Sequence, residues 1–460
     1  MNNDHHNGTD RNMEAGDVDT DTSATPVKWI LLRRRAWPII MTAATVISGM
    51  AFSLFWAPLV RHDVAKRTVN KQLINALGSR YHSLLHLRPA TVHIWYWIMS
   101  SDVWVFFRQS KLIVWGYIGG IYSSHLPNPL PPGILVALAP VAAISTHYHL
   151  TSDFANFTTP RPQAWLLLGP YEMALSCVAL FGLDRLAESI GIERRRRALL
   201  TVMEATAVWQ TSAIWGHPEI GLVIGLVAYA IAAQLDGNHS RVGWLIGAAV
   251  CVQPVALLAL PVLLALCDRR KWAGILIRGA LPTLVLLAGP FYAHPRITWH
   301  VLTSQYTYPT VDHPTPWLAL APRISKTVVE GGPPRILVII AALVIGIICY
   351  RVVRHRPAIA SSIVAAYVSF AFLGWCFFEP VMVSYYVAPT IAFSLVAAGR
   401  LTTKHVLAVF AADMAATVVA FHSLPPWPWW ILVTGMLGIG AYIGYGRLGV
   451  TPVVAAAKLE

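Results

Sequence analysis

The stretch "LLRRRAWPIIMTAATVISGM", residues 31–50, decides how the rest of the chain is read. Arg33, Arg34 and Arg35 stand directly before an apolar run that continues to residue 60. Such a run can cross a bilayer core, which takes about 20 apolar residues, and the cations before it mark the end that stays in the cytoplasm. The basic cluster comes late and the apolar run is full length, so the pattern is that of a first crossing rather than a cleaved secretory leader. Residues 1–28 hold six acids, little apolar content and no periodicity. A segment of that kind cannot offset its ordering entropy by burial, and it reads as a disordered cytoplasmic tail.

Composition extends this reading to the whole chain. Of 460 residues, 56% are hydrophobic and 12% charged, and the mean hydropathy is +0.54. This is more apolar sequence than a soluble core hides, so the expected class is an all-α polytopic membrane protein. The net charge of +13 sits in short Lys/Arg clusters between apolar runs, which marks topology and gives no nucleic-acid-binding face. The five cysteines (Cys177, Cys251, Cys267, Cys349 and Cys376) lie inside apolar stretches without a C-x-x-C spacing and read as buried thiols.

Charge and parity then set the crossings. "ERRRR", 193–197, belongs in the cytoplasm with Arg33 to Arg35, so an even number of crossings separates them. Three apolar stretches lie between, at 37–60, 133–150 and 164–183, and one of them cannot span. The stretch 133–150, "GILVALAPVAAISTHYHL", is short, carries Pro140 and ends in His147 and His149, so it is expected to lie against the outer face. Crossings at 198–215, 219–236 and 273–292 follow by alternation. Between Arg241 and Arg269 the chain makes no crossing or two within about 26 residues, whereas two full spans need ~40. "VGWLIGAAVCVQPVALLALPVLLALC", 242–267, is therefore expected to be a short broken hairpin with its tip at Gln253 and Pro254. Such a break is tolerated only where protein or a wet cavity satisfies the freed backbone groups.

Further crossings at 335–350, 357–378, 381–399, 405–421 and 429–446 bring the expected total to about 12, counting the hairpin as two, with both termini cytoplasmic. The chain divides into a tail at 1–28, a transmembrane module at 29–292 with a large outer loop at 61–132, a second module at 293–446 with an outer loop at 293–334, and a cytoplasmic tail at 447–460. Most of the 18 tryptophans fall at the outer end on this topology. An aromatic-walled pocket and a belt resting on headgroups both account for that bias.

The outer loop 61–132 carries "SSDVWVFFR", 100–108, where Asp102 is a lone carboxylate among Val, Trp and Phe. A carboxylate in a partly dry, aromatic-walled pocket can accept a proton from a sugar hydroxyl, and an Asp after two serines can also cap a helix. The two readings are compatible. Beyond it, "GYIGGIYSSHLPNPLPPG", 116–133, is a turn-rich approach to a short helix opened by Pro131 and Pro132.

An acid on a surface helix after the first crossing, then a Gly and Ile-Tyr step, then Pro-Pro-Gly opening a short helix, resembles the GT-C superfamily of polyprenyl-phosphate-sugar-dependent glycosyltransferases, most of all family eighty-seven. "GHPEIGLVIGL" at 216–226 and "LIGAAVCVQPVALLALPVLLAL" at 245–266 fit the same layout. The resemblance covers roughly residues 90–290. Gln253 stands where relatives often carry Lys, and Leu130 where an aromatic precedes Pro-Pro-Gly.

The resemblance implies a GT-C-like bundle and an inverting transfer at the outer face of the plasma membrane. The donor would be a polyprenyl-phosphate mannose or arabinofuranose, the acceptor a lipid-linked glycan or polysaccharide of the cell envelope, and the surroundings membrane lipid. Asp102 takes the role of general base. Charge developing on the departing phosphate calls for donors, and the outer-face candidates are Arg88, Arg108, His294, Arg296, Arg323 and Lys326, Arg296 first. His217, Glu219 and Gln253 are expected near the hairpin tip on the donor phosphate or sugar. In "SQYTYPTVDHPTPW", 304–317, Tyr306, Tyr308, Asp312 and His313 suit sugar contacts, although an ordinary linker has the same composition. Snorkelling to headgroups is the alternative for each arginine, and a helix start with Glu219 in its first turn is the alternative for "GHPE".

No metal or other cofactor is called for. His217 and Glu219, two residues apart across Pro218, are not expected to share a helix face, and "HYH" at 147–149 has the same spacing. The rival reading is a proton-coupled multi-pass transporter using the intramembrane acids Glu172, Glu204 and Asp413, since ionisable groups at such positions are costly and functional.

Overall fold

In the bilayer a chain must satisfy its backbone groups internally, and the apolar runs answer by forming helices almost throughout. The computed structural model describes residues 35–69, 101–122, 131–150, 163–304, 306–309, 312–326, 328–422 and 424–446; the side chains of 53–69 and 101–102 fall outside that description. The expected tails at 1–28 and 447–460 and the candidate Arg88 lie outside the described residues.

The chain opens with α1 (Ala36–Val69), α2 (Ser101–Val114), a 3-10 turn at Ile118–Tyr122 and α3 (Pro132–His147). α4 (Trp165–Ser176) and α5 (Val178–Ser189) form one rod with a turn at Cys177. α6 (Arg194–Trp209) runs into a π turn at Gln210–Ile214 and is followed by α7 (Pro218–Leu235) and α8 (His239–Val252). After a 3-10 segment at Pro254–Ala259 come α9 (Leu260–Ala265), α10 (Arg269–Ala293) and α11 (Pro295–Thr303). Three two-residue strands, β1 (Tyr306–Thr307), β2 (His313–Pro314) and β3 (Val329–Glu330), precede α12 (Gly332–His355) and α13 (Ala360–Phe378). β4 (Val381–Met382), α14 (Val387–Ala398), α15 (Thr403–Ala420) and α16 (Pro426–Gly446) complete the described chain.

The described residues from 37 to 446 form one unit, an all-α multi-pass membrane protein. Among the described residues, seven helices are long and apolar enough to cross a membrane: 165–189, 218–235, 269–293, 332–355, 357–378, 403–420 and 426–446. The stretch set aside as too short, 133–150, forms the 16-residue α3, which packs on α2, α4, α8 and α10. Three boundaries differ from those read in the sequence. Helix α1 continues to Val69, so the first connecting region starts later than residue 61. The segment 293–334 carries α11 and two small ladders in place of an open loop, β1 against β3 and β2 against β4. The crossing placed at 381–399 begins as strand β4 and a 3-10 turn, because Pro380 interrupts the helix and the next two residues pair with His313 and Pro314.

The break at Gln253 is present. α8 ends there with extended backbone (φ −158°, ψ 121°), and its 14 residues rise ~21 Å, short of a ~30 Å bilayer core. Residues at the start of α8 and just before it (Asp236 to Ser240) and residues of α10 after the return (Lys271, Arg278) line one cavity, so both limbs start from the same end. Pro-Pro-Gly packs on this tip: a Cβ at Gly133 would lie 2.5 Å from the Cys251 carbonyl carbon, so only glycine lets α3 approach so closely.

Side-chain contacts sort the connecting segments into two groups. In one, Arg185 donates to Asp236 at 2.6 Å, Arg197 lies 3.4 Å from Asp184, Arg196 donates to the Gly399 and Leu401 carbonyls, Arg400 donates to Ser362, and Arg269 lies over the Tyr350 ring. In the other, Trp215 stacks on Phe421, the Ser384 hydroxyl donates to the Ala420 carbonyl at 2.6 Å, and Arg335 pairs with Glu379 at 2.8 Å. Basic loops share one end of the bundle and aromatic ones the other.

Candidate functional site

At the aromatic end, helix α7 starts with His217 as its N-cap residue (φ −112°, ψ 68°), Pro218 next and Glu219 in the first turn. Because His217 precedes the helix, its ring is free of the helical register and meets the first turn: Nδ1 lies 2.5 Å from Glu219 Oε1. The expectation that two-residue spacing and Pro218 keep these side chains apart is thereby corrected. Both are buried, at 6% and 2% exposure. Among the described residues, no three His, Cys, Asp or Glu side chains gather as metal ligands.

Among the described residues, three further neighbours lie around His217. Tyr385 stacks on its ring at 3.9 Å, and Phe106 of α2 meets it edge-on at 6.0 Å. Glu172 of α4 lies within electrostatic reach of both His217 and Glu219. Its approach depends on Gly221, where a Cβ would come 2.3 Å from the Ser176 carbonyl oxygen, so that α7 lies directly on α4. Glu172 is fully buried, and neither of its oxygens has a hydrogen-bond partner among the described residues. Ser176, one turn further along α4, and the second Glu219 oxygen are in the same state. Buried polar atoms are nearly always paired, so a group of unpaired ones marks a place where water or a polar ligand belongs.

The backbone places Asp102 in the first turn of α2, four residues before Phe106 and so on the same helix face, one turn away from the residue that meets His217. The loop after α11 borders the same end. β2 pairs with β4, three residues before Tyr385. The Thr315 hydroxyl donates to the Glu379 carbonyl at 2.7 Å, and His313 stacks on Trp429 at 4.0 Å. The His313 segment is thus docked on the bundle, and the plain-linker reading does not describe it.

The other sequence candidates are dispersed. Arg108, Arg296 and Tyr308 are exposed, the first on α2, the second on α11 and the third after β1. Gln253 is half-buried at the hairpin tip beside Gly133. His294, Arg323 and Lys326 are exposed, whereas Tyr306 and Asp312 are half-buried. Of the intramembrane acids, only Glu172 joins His217. Glu204 lies within electrostatic reach of Asp184, and Asp413 accepts a hydrogen bond from Ser394 at 2.8 Å. Sequence reasoning missed Tyr385 and the Arg335–Glu379 pair. The signal available was "EPVMVSYY", 379–386, a polar and aromatic interruption in an apolar stretch.

No family model matches the chain, and no curated protein matches it.

Proposed function

We propose that the protein is a membrane glycosyltransferase that moves a sugar from a polyprenyl-phosphate donor to a cell-envelope glycan acceptor at the outer face of the plasma membrane. One observation carries this: the helix that holds Asp102 in its first turn meets His217 through Phe106, at the end of the bundle away from the basic loops. Lys and Arg clusters stay cytoplasmic, so the aromatic end faces outward, and about 12 crossings with both termini inside accord with the basic loops. The resemblance of residues 90–290 to the GT-C layout supplies the reaction type.

In that reaction the Asp102 carboxylate takes the proton of an acceptor hydroxyl. The oxygen attacks the anomeric carbon, the bond from that carbon to the phosphate oxygen breaks, and polyprenyl phosphate departs with the electron pair, inverting the centre. His217, held by Glu219, is the nearest candidate to hydrogen-bond the donor, since the carboxylate fixes its tautomer and ring orientation. The unpaired Glu172 and Ser176 suit sugar hydroxyls. Tyr385 and Phe106 give apolar walls, and Arg108 and Arg296 are the cations for the phosphate at the lipid boundary.

The test is transfer from radiolabelled polyprenyl-phosphate mannose and arabinofuranose by membranes carrying the full chain. Asp102→Asn and Asp102→Ala should abolish product while leaving the protein in the membrane; retained transfer by both would end the proposal. The buried, unpaired Glu172 also supports the second reading, a proton-coupled transporter, which requires substrate flux driven by a pH gradient.

A further inference from the structure

At the opposite end, the turn before α8, the first residues of α8 and helix α10 line an open cavity of about 480 Å³, formed by Asp236, Gly237, Asn238, His239, Ser240, Lys271 and Arg278. Its charge is positive: Lys271 and Arg278 face it, and the only acid among its lining residues, Asp236, is engaged by Arg185 at 2.6 Å. Arg278 is unusual in its place. It lies inside the apolar sequence of α10, and its guanidinium donates to the Gly274 carbonyl at 3.0 Å, one turn back toward Arg269. The side chain therefore reaches down from membrane depth toward the basic end, the posture of an arginine serving the boundary between acyl chains and headgroups.

Apolar surface continues upward from this cavity. Trp244 lies one turn above Ser240 on α8, and Leu276, Ile277 and Leu281 flank Arg278 on α10; all four are exposed. Two cations at headgroup level, a serine and an asparagine beside them, and a lipid-facing apolar strip above form an arrangement matching one molecule with a phosphodiester and acyl chains. We propose that this cavity binds the headgroup phosphate of an anionic phospholipid, with Lys271 and Arg278 as its cations and the acyl chains along the exposed strip of α8 and α10. The site lies away from His217 and needs none of the residues assigned to sugar transfer. Because it holds the hairpin from the side of its roots, bound lipid would steady the tip at Gln253.

Native mass spectrometry of the full-length protein, titrated with phosphatidylglycerol or phosphatidylcholine, tests this. One phosphatidylglycerol should bind well above the rest, and Lys271→Gln with Arg278→Gln should weaken it about thirtyfold. Arg278→Lys should keep most of the affinity, and Arg351→Gln with Arg354→Gln, on another basic segment, should keep all of it, which separates site loss from misfolding. Soluble glycerol phosphate should compete only poorly. Equal binding of phosphatidylcholine, equal binding by the double Lys271/Arg278 variant, or full displacement by glycerol phosphate would each overturn the proposal.

Discussion

Removing the Arg335 guanidinium should loosen the docked His313 segment without dismantling the bundle. Arg335 donates to one Glu379 oxygen at 2.8 and 3.2 Å, and the Glu379 side chain is 2% exposed. Truncating one partner of a buried pair strands the other charge and costs about 3–5 kcal/mol. Arg335 is itself 27% exposed, so water partly screens the pair and the expected cost is near the lower figure, about 3 kcal/mol. It falls on a junction where the Glu379 carbonyl also accepts from Thr315 and where β4 begins two residues later, so Arg335→Ala should free the segment 305–331 for proteolysis. Arg335→Met combined with Glu379→Leu should recover most of the loss, because replacing both charges by apolar groups of similar size is nearly neutral. Denaturant titration in mixed micelles with limited proteolysis reads both effects. If the single and double variants unfold together, electrostatics do not hold this junction and the argument fails.

Gly133→Val should cost about 1–3 kcal/mol in the same titration, since the new atoms meet the Cys251 backbone and not a movable side chain. Wild-type stability for this variant would show that α3 shifts freely against the hairpin tip. Tyr385→Phe should keep sugar transfer while Tyr385→Ala, which removes a stacked pair with about 0.5–1.5 kcal/mol beyond its buried area, should raise the KM for the donor. Equal KM values for the two would remove Tyr385 from the pocket wall. Glu219→Gln should weaken the protein by about 1.5–3 kcal/mol, the worth of a hydrogen bond to a charged group, and an unchanged unfolding midpoint would mean that the bond to His217 carries no weight.

Membrane class and helical architecture were legible because the bilayer imposes a length and a composition on each span, and both are written in the apolar runs. The hairpin break was legible because parity left too few residues for two crossings between Arg241 and Arg269, and Pro254 marked where the backbone had to change. Helix-face arguments failed at His217 because they assume both residues are helical, whereas an N-cap residue has its own backbone angles. The segment 381–399 was misread for a related reason: hydropathy does not distinguish a buried strand from a helix, and Val381 and Met382 are paired by Pro314 and His313, far upstream in the chain. Tyr385 lies just past that pairing, so the polar and aromatic interruption at 379–386 marked a break there without showing what the tyrosine meets. Asp102 stood out by chemistry alone, and what the sequence could not supply was its neighbour, since Phe106 and His217 meet only through tertiary packing.

Glu172 belongs to both functional readings, which makes it a poor judge between them. Lying within electrostatic reach of His217 and Glu219, it would impair a transferase when changed to Gln, and as a buried acid it would impair a transporter too. Glu204 and Asp413 separate the two. Asp413 is fully buried between α14 and α16, bonded to Ser394 and pressed against Gly440, where a Cβ would come 2.7 Å from its oxygen, and Glu204 is near Asp184, which pairs with Arg197 in the basic loops. Neither is placed to touch a donor at the aromatic end. A proton path through the protein needs acids spaced along the membrane, and these two are the members that would extend it from Glu172 toward the basic end. Asp413→Asn and Glu204→Gln, each neutral and nearly isosteric, should therefore leave sugar transfer within about twofold of wild type, as surface-distant and charge-removing changes outside the site do. Loss of transfer in both variants, with folding intact by size-exclusion chromatography and with pH-driven flux also lost, would give the function to the transporter.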